Sequence, residues 1–241
     1  SRESLPKSFV PLVNGKSFFE MTYDRFRKAY GPDEIFVSTS EKYIQFVKKQ
    51  APEIPDRNII AEPEVKDTLA ACGLATAVVN KYYPGETILI SWAKHLISKE
   101  SVFLDAVKAA GKFAEKADLI VSVDTKPSYP SVHNGWVKLG KTLQEVDGFK
   151  IVEIEKHVEK PKSGIAKNFF KSGDWLINTG YRVWKTDTML SYYKKFQPSM
   201  YEKLMKIADV WGTPDQERVL KAEYSDLEKD SIEYGIFEKL S

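Results

Sequence analysis

Short apolar runs alternate with amphipathic stretches along the first half of the chain, a pattern typical of β-strands alternating with α-helices. The apolar runs at 35–37, 58–61, 87–91 and 118–123 predict four strands. The amphipathic stretches at 15–30, 40–50, 67–79 and 99–116 predict the helices between them. Such alternation favours βαβ units, whose right-handed crossovers bring the loops after the strands to one edge, where ligands bind.

The second half of the chain has a different pattern. Residues 136–139, 142–146 and 150–158 predict extended, partly antiparallel strands, with a turn at Gly148. A helix over 161–171, a strand over 175–184 and mostly helical structure from Thr186 onward follow. Together the two halves predict an α/β protein, Rossmann-like, with a mixed, mostly parallel sheet flanked by helices. We expect one domain over residues 1–241, with a substrate-binding lobe embedded in it.

Composition narrows the class of protein. Basic and acidic side chains number 36 and 34, giving a net charge of +2, which argues against a nucleic-acid partner. Cys72 is the only cysteine, so an internal disulfide is excluded and a reducing, cytoplasmic setting is the default. No apolar run reaches the roughly 18 residues of a membrane span.

Polar residues follow several predicted strands. Lys7 is held next to the rigid Pro6 and is suited to a phosphate, although the local composition by itself favours an ordinary solvated lysine. The segment from Glu62 to Thr68 leads into a helix whose N-terminus attracts anions, and Asp67 or Thr68 also suits a simple cap. His95 is a packed imidazole, a proton donor or a ligand, and the pattern alone favours packing.

Two further segments lie in the second half. Glu159 and Lys160 end a long strand, where they could hold a sugar hydroxyl and a phosphate or form a surface ion pair. Asn178 and Gly180 fall inside a predicted aromatic-rich strand, although both residue types are unfavourable in the middle of a strand. Either a bulge or a ligand that needs the amide must compensate for this cost.

Taken in order along the whole chain, these segments resemble the bacterial mannose-1-phosphate guanylyltransferase family of sugar nucleotidyltransferases. The matching segments are 6–9, 62–63 with 66–68, 92–95, 159–161, 178–180, 222–225, 231–234 and 237–239.

The resemblance implies a nucleotidyltransferase fold and the joining of mannose 1-phosphate to GTP with Mg²⁺, giving GDP-mannose and pyrophosphate. It implies Lys7 as a catalytic phosphate contact. The nucleotide-binding residues that it implies are Glu62, Pro63, Lys66, Asp67 and Thr68. The substrate-binding residues that it implies are Gly135, Glu159, Lys160, Asn178 and Thr179. GTP and mannose 1-phosphate are the expected partners.

Three aromatic residues, Tyr192, Tyr193 and Tyr201, are candidates for a homo-oligomer interface, with core positions as the alternative.

The chain departs from the family pattern in ways that affect the metal and the nucleotide. Lys94 stands where the family has an aspartate that binds Mg²⁺, and an ammonium group cannot ligate that ion. Lys66 replaces an arginine, which loses bidentate geometry. The family's glycine-rich loop would precede Ser1, and its Asp-containing segment would follow Ser241. We therefore expect a domain that is incomplete at both termini, with no metal-binding residue assigned.

These departures keep two alternatives open. One is a degenerate nucleotidyltransferase-like module that binds a sugar phosphate or nucleotide without turnover, which Lys94 and Lys66 favour. The other is a pyrophosphorylase for another sugar, such as glucose 1-phosphate, which the patterns at Glu62 and Asn178 disfavour.

Overall fold

The computed structural model of the protein describes residues 6–240, and its helices and strands are numbered here in chain order. The helices are α1 Phe18–Arg27, α2 Ile44–Gln50, α3 Asp67–Tyr82, α4 Glu100–Ala117, α5 Ser163–Ser172, α6 Thr186–Phe196, α7 Pro198–Asp209, α8 Gln216–Ser225 and α9 Ile232–Gly235. The strands are β1 Val37–Ser40, β2 Ile59–Glu62, β3 Thr87–Ile90, β4 Val121–Ser122, β5 Trp136–Val146, β6 Phe149–Val158, β7 Trp175–Ile177 and β8 Arg182–Lys185.

The chain divides into two compact units. The first contains the described residues up to Glu86, together with Ala93–Ser98 and the described residues from Thr186 onward. The second contains Thr87–Trp92 and Lys99–Lys185, and is therefore inserted into the first along the sequence. The organisation of residues 1–241 as one domain stays a prediction.

In the first unit, α1 and the parallel pair β1–β2 surround an aromatic core. The side chain of Ser17 accepts from the backbone N–H of Glu20, and the carboxylate of Glu20 accepts from the N–H of Ser17, so a capping box begins α1. The helix ends at Arg27, earlier than predicted. The ring of Phe9 is buried and lies 5.2 Å from that of Phe19.

Helix α3 is buried along much of its length and packs against α6, α7 and α9. Its small residues let neighbouring helices approach closely. The fully buried Tyr193 of α6 donates its hydroxyl to the carbonyl of Leu69, 2.6 Å away. Tyr193 is therefore a core residue within this chain, whereas Tyr192 and Tyr201 are half-buried. The interface at these tyrosines stays a prediction.

The second unit contains two three-stranded sheets. In one, β8 lies between β3 and β4 and is antiparallel to both. Strands β3 and β4 therefore run in the same direction without being neighbours. In the other, β5 pairs antiparallel with β6 and β7, and Asp147 and Gly148 form the β5–β6 turn. Among the named strand pairs in residues 6–240, only β1–β2 is parallel, so hydrogen-bonded parallel pairing is scarcer than the sequence pattern suggested.

The strand predicted over 175–184 is broken at Asn178–Tyr181. Strand β7 pairs with β5, whereas β8 pairs with β3 and β4, so the chain passes from one sheet to the other at the break. Gly180 has φ of +81° and its N–H donates to Oδ1 of Asn178. The side chains of the break thus satisfy its backbone, which is the compensation that the sequence required.

None of the helices in residues 6–240 combines the length and the apolar surface that crossing a bilayer requires.

Candidate functional site

The segment between β2 and α3, from Glu62 to Thr68, is here called the nucleotide loop. Glu62 is the last residue of β2, and both of its carboxylate oxygens have protein partners. Oε1 accepts from the hydroxyl of Ser38 at 2.8 Å, and Oε2 accepts from the hydroxyl of Tyr224 at 2.7 Å. Burial, and secondarily the charge of Glu62, raises the pKa of Tyr224, so its phenol remains a donor. Glu62 therefore links the end of β2 to Ser38 and Tyr224 and stabilises it.

The basic side chain of the nucleotide loop is also engaged. The Nζ of Lys66 donates to the carbonyl of Ser225 at 2.6 Å and lies 3.2 Å from Oε2 of Glu64. A hydrogen bond from Ser225, and after it one from Lys66, lowers the pKa of Glu64. Lys66 thus ties the nucleotide loop to the end of α8, and Pro63 in the same loop is half-buried.

The first turn of α3 is tied to the start of α9 and to the segment before it. Asp67 has φ of +67°, and its Oδ1 accepts from the N–H of Thr68. The hydroxyl of Thr68 accepts from the N–H of Ile232, and the N–H of Leu69 donates to the carbonyl of Asp230. The hydroxyl of Thr68, a predicted cap of α3, thus bonds to a backbone N–H far along the chain rather than to one of its own helix.

Four residues that support the nucleotide loop were given no role by the sequence reasoning: Tyr224, Ser225, Asp230 and Ile232. They lie more than 150 positions from their partners, with separations of 159 to 164 residues for three of the side-chain contacts. The signal available for Tyr224, Ser225 and Ile232 was their place within the segments 222–225 and 231–234, which match the family without an obvious chemistry of their own, and Asp230 lies next to the second segment.

Lys7 lies in a 3-10 turn, Lys7–Phe9, that is anchored by the buried Phe9. The carbonyl of Phe9 accepts from Nε2 of Gln50 at 3.0 Å, and Oε1 of Gln50 accepts from the hydroxyl of Ser17. The turn is therefore held on the core while the side chain of Lys7 is exposed. The opening residues Ser1–Leu5 of the same sequence motif lie outside the described residues.

Lys94 is exposed in the segment that follows β3 and belongs to the first unit. Its neighbour His95 is half-buried, and the buried Arg25 donates to the carbonyl of His95 at 3.3 Å. Burial, followed by the positive charges of Lys94 and Arg25, lowers the pKa of His95. Three positive or potentially positive groups therefore meet here, which is unfavourable for Mg²⁺.

Within residues 6–240, no three His, Cys, Asp or Glu side chains gather as a metal site requires. The described side chains therefore do not fit a complete Mg²⁺ site.

In the second unit, four residues meet at the ends of β5, β6 and β7, and we call them the Gly135 cluster: Gly135, His157, Glu159 and Asn178. A Cβ placed on Gly135 would lie 2.5 Å from Oε2 of Glu159, 2.8 Å from Nε2 of His157 and 3.4 Å from Cβ of Asn178. The N–H of Asn178 donates to the carbonyl of Gly135 at 2.9 Å. Glycine at this position lets these side chains converge, since a larger residue would have to displace the ends of Glu159 and His157.

The break Asn178–Tyr181 is held by a buried ion pair. Oδ1 of Asp124 accepts from the N–H of Thr179 at 3.0 Å and lies 3.9 Å from Nη1 of Arg182. The side chains of Asp124 and Arg182 are only 4% and 11% exposed. The hydroxyl of Thr179 donates to the carbonyl of Val123. Thr179 thus lies beside Asn178 but directs its polar groups into the protein.

Lys160 is connected to the cluster through Glu159, whose Oε1 lies 3.4 Å from its Nζ. Its side chain is 66% exposed. The sequence reasoning missed His157, Asp124 and Arg182. His157 had a usable signal, since it stands near the end of β6, two residues before Glu159, and residues two apart in an extended chain point to the same side. Asp124 and Arg182 had none, because only the folded chain pairs them.

The sequence as a whole matches the profile of the nucleotidyl transferase family over residues 2–224. The chain therefore belongs to the nucleotidyl transferase family.

Individual relatives have more specific names than the family does. The chain is 26% identical to a protein named mannose-1-phosphate guanylyltransferase from Escherichia coli, over 99% of this chain and 52% of that protein. It is 28% identical to the xanthan biosynthesis protein XanB of Xanthomonas campestris, over 99% of this chain and 50% of that protein. The chain thus spans about half the length of the curated relatives it matches.

A solved structure shares the fold. The crystal structure of mannose-1-phosphate geranyltransferase from Thermus thermophilus superposes with a TM-score of 0.83 at 25% identity, covering 100% of this chain and 67% of that one. The predicted nucleotidyltransferase fold and the predicted resemblance to mannose-1-phosphate guanylyltransferases are confirmed. The roles assigned to individual residues stay predictions.

Proposed function

We propose that the protein to which this chain belongs joins mannose 1-phosphate to GTP, giving GDP-mannose and pyrophosphate. A phosphate oxygen of the sugar phosphate forms a bond to the α-phosphorus of GTP. The bond from that phosphorus to the oxygen between the α- and β-phosphorus atoms breaks in line, so that pyrophosphate leaves. Such a reaction depends mainly on positioning and charge stabilisation. The observation that carries the proposal is the Gly135 cluster, where a carboxylate, an amide and an imidazole converge beside a glycine.

On the sugar side, Glu159 accepts hydrogen bonds from sugar hydroxyls and Asn178 contacts the sugar. Gly135 leaves space for the side chains of Glu159 and His157 to converge there, and the exposed Lys160 contributes its charge to the phosphate. Thr179 contributes by fixing the backbone beside Asn178, since its own hydroxyl already donates to Val123.

On the nucleotide side, Lys7 contacts phosphate from its anchored turn. The nucleotide loop, comprising Glu62, Pro63, Lys66, Asp67 and Thr68, presents its backbone to the nucleotide. Because Glu62 and Lys66 already have protein partners, their contribution is to hold the loop in one conformation rather than to grip the ligand with their side chains.

Members of the nucleotidyl transferase family generally use a divalent metal ion. Mg²⁺ is the ion we propose, although the side chains of residues 6–240 do not form a complete site for it, so no step is assigned to a metal here. GTP and mannose 1-phosphate are the proposed ligands, in a cytoplasmic protein that forms homo-oligomers.

The test is a coupled pyrophosphate-release assay on the full-length protein with GTP, mannose 1-phosphate and Mg²⁺, beside ATP, UTP and glucose 1-phosphate. We expect turnover with GTP and mannose 1-phosphate. Glu159→Ala and Asn178→Ala should each raise the KM for mannose 1-phosphate by about tenfold or more and leave the KM for GTP unchanged, because each removes a hydrogen bond to the sugar.

The control variant is Lys156→Ala, since Lys156 is exposed and, one residue away from His157, lies on the opposite face of β6. A folded protein that releases no pyrophosphate with any substrate pair would contradict the proposal and favour a binding module without turnover. Unchanged KM values for both variants would overturn the substrate roles.

A further inference from the structure

We propose that His157 is a positioning residue of the sugar-phosphate site, which fixes the carboxamide of Asn178 by accepting one of its N–H bonds. The inference rests on the proposed function, because it gives Asn178 a defined orientation toward the same sugar. The observation behind it is the 3.1 Å distance between Nε2 of His157 and Nδ2 of Asn178.

The orientation of the Asn178 carboxamide follows from its other partners. One of its two polar atoms faces the N–H of Gly180 at 3.0 Å and Nη2 of Arg182 at 2.9 Å. A backbone N–H and a guanidinium group are donors only, so the atom that faces them must be the oxygen. The nitrogen is therefore the atom that faces His157.

The orientation of the amide then sets the state of the imidazole. An amide nitrogen can only donate, so Nε2 of His157 must carry a lone pair and Nδ1 must carry the proton. The second hydrogen on Nδ2 of Asn178 is left to point away from His157. His157 thus holds one N–H of the carboxamide while the other can be presented to a sugar oxygen.

The same tautomer separates His157 from Glu159. Nε2 of His157 lies 3.8 Å from Oε2 of Glu159, beyond hydrogen-bond distance. With its lone pair directed at Asn178, Nε2 has no proton to offer the carboxylate. Oε2 of Glu159 therefore keeps its capacity to accept from a sugar hydroxyl.

A purely structural role for His157 is poorly supported. Its side chain is 35% exposed, and its strand is already held by the antiparallel pairing of β6 with β5, where it stands opposite Val137. Removing the imidazole should therefore change stability little. Its polar contact is instead directed at the residue that we place against the sugar.

The experiment compares two substitutions in the full-length protein. His157→Phe keeps a planar ring but has no acceptor, and His157→Gln carries an acceptor oxygen at a position close to that of Nε2. We expect His157→Phe to raise the KM for mannose 1-phosphate by about fivefold, the effect of one neutral hydrogen bond, with kcat and the KM for GTP little changed. His157→Gln should recover most of that loss.

A second measurement needs no substrate. The nitrogen NMR shifts of the His157 ring should report a proton on Nδ1 and a lone pair on Nε2, and the side-chain amide signals of Asn178 should shift and broaden in His157→Phe. A proton on Nε2 would overturn the inference, as would equal KM values for the wild type and His157→Phe.

The two proposals fail in different ways. A wild-type protein that binds neither mannose 1-phosphate nor glucose 1-phosphate in calorimetry would overturn the proposed function, and the positioning role with it. Turnover by the wild type with no effect of His157→Phe would overturn the positioning role and leave the proposed function standing.

Discussion

The nucleotide loop and the Gly135 cluster both carry family motifs, but their side chains are engaged to different degrees. In the nucleotide loop, the carboxylate of Glu62 and the ammonium group of Lys66 are bound to Tyr224 and Ser225. In the Gly135 cluster, Glu159 is more than half exposed, as is the adjacent Lys160, whose Nζ lies 3.4 Å from Oε1 of Glu159. A motif match therefore fixes a position in the fold, whereas the contacts decide whether the side chain stabilises the protein or meets a ligand.

The comparison predicts that the largest effect on stability comes from Tyr224→Phe. The substitution removes a buried donor from the carboxylate of Glu62 and should lower the free energy of unfolding by about 2 kcal/mol. Denaturant unfolding followed by circular dichroism measures it. Tyr234→Phe is the matched control, because Tyr234 is 63% exposed and should lose nothing measurable. Equal unfolding midpoints for both variants would contradict the stabilising role given to the contact between Tyr224 and Glu62.

A second prediction concerns Gly135→Ala, which should act on binding rather than on stability. The added Cβ would meet the ends of Glu159 and His157, which can move aside because both side chains are partly exposed. We expect affinity for mannose 1-phosphate to fall about tenfold, with unfolding unchanged within about 0.5 kcal/mol. Calorimetric titration and denaturant unfolding measure the two quantities. A large loss of stability with intact affinity would reverse our interpretation of the cluster.

A matched pair of lysines gives a third, smaller effect. Lys66 is 15% exposed and donates to a backbone carbonyl, whereas Lys160 is 66% exposed. Lys66→Met should cost about 1 kcal/mol of stability, and Lys160→Met should cost nearly nothing while weakening sugar-phosphate binding. Thermal unfolding of the two variants under the same conditions measures the difference in stability. The comparison fails if Lys160→Met is the less stable variant.

The smallest expected effect is a pH dependence at His95. Its folded-state pKa is lowered, so the unfolded chain binds the proton first as the pH falls below the ordinary imidazole range near 6.5. Stability should therefore decline through that range and level off below the folded-state pKa. Lys94→Asp should shrink the decline, because a negative neighbour favours the imidazolium. Unfolding curves between pH 7.5 and 5 test this, and a decline unaffected by the substitution would contradict the role given to Lys94.

Sequence pattern predicted the α/β class and most of the elements, because hydrophobic periodicity reflects burial. It did not predict that β8 separates β3 from β4, since the pairing of strands far apart in sequence leaves no local signal. The break at Asn178 was visible as a conflict between its residues and a continuous strand. Its resolution by Asp124 and Arg182 was not, because a buried ion pair between distant residues has no local pattern.

For the candidate sites, motif order identified Gly135, Glu159 and Asn178, which the structure brings together. It named Glu62 and Lys66 but not the partners that occupy them. Tyr224 and Ser225 lie in a helix whose sequence shows only ordinary amphipathic spacing, so their contact with the nucleotide loop depends on tertiary packing alone.

The contacts of the nucleotide loop also have a consequence for folding order. Glu62, Lys66 and Thr68 obtain their partners from positions 159 to 164 residues further along the chain. During synthesis, the ribosome releases the loop long before Tyr224 or Ile232 exists to receive it. Closing so long a span is entropically costly and slow. We therefore expect this loop to be among the last parts of the first unit to become protected from hydrogen exchange during refolding.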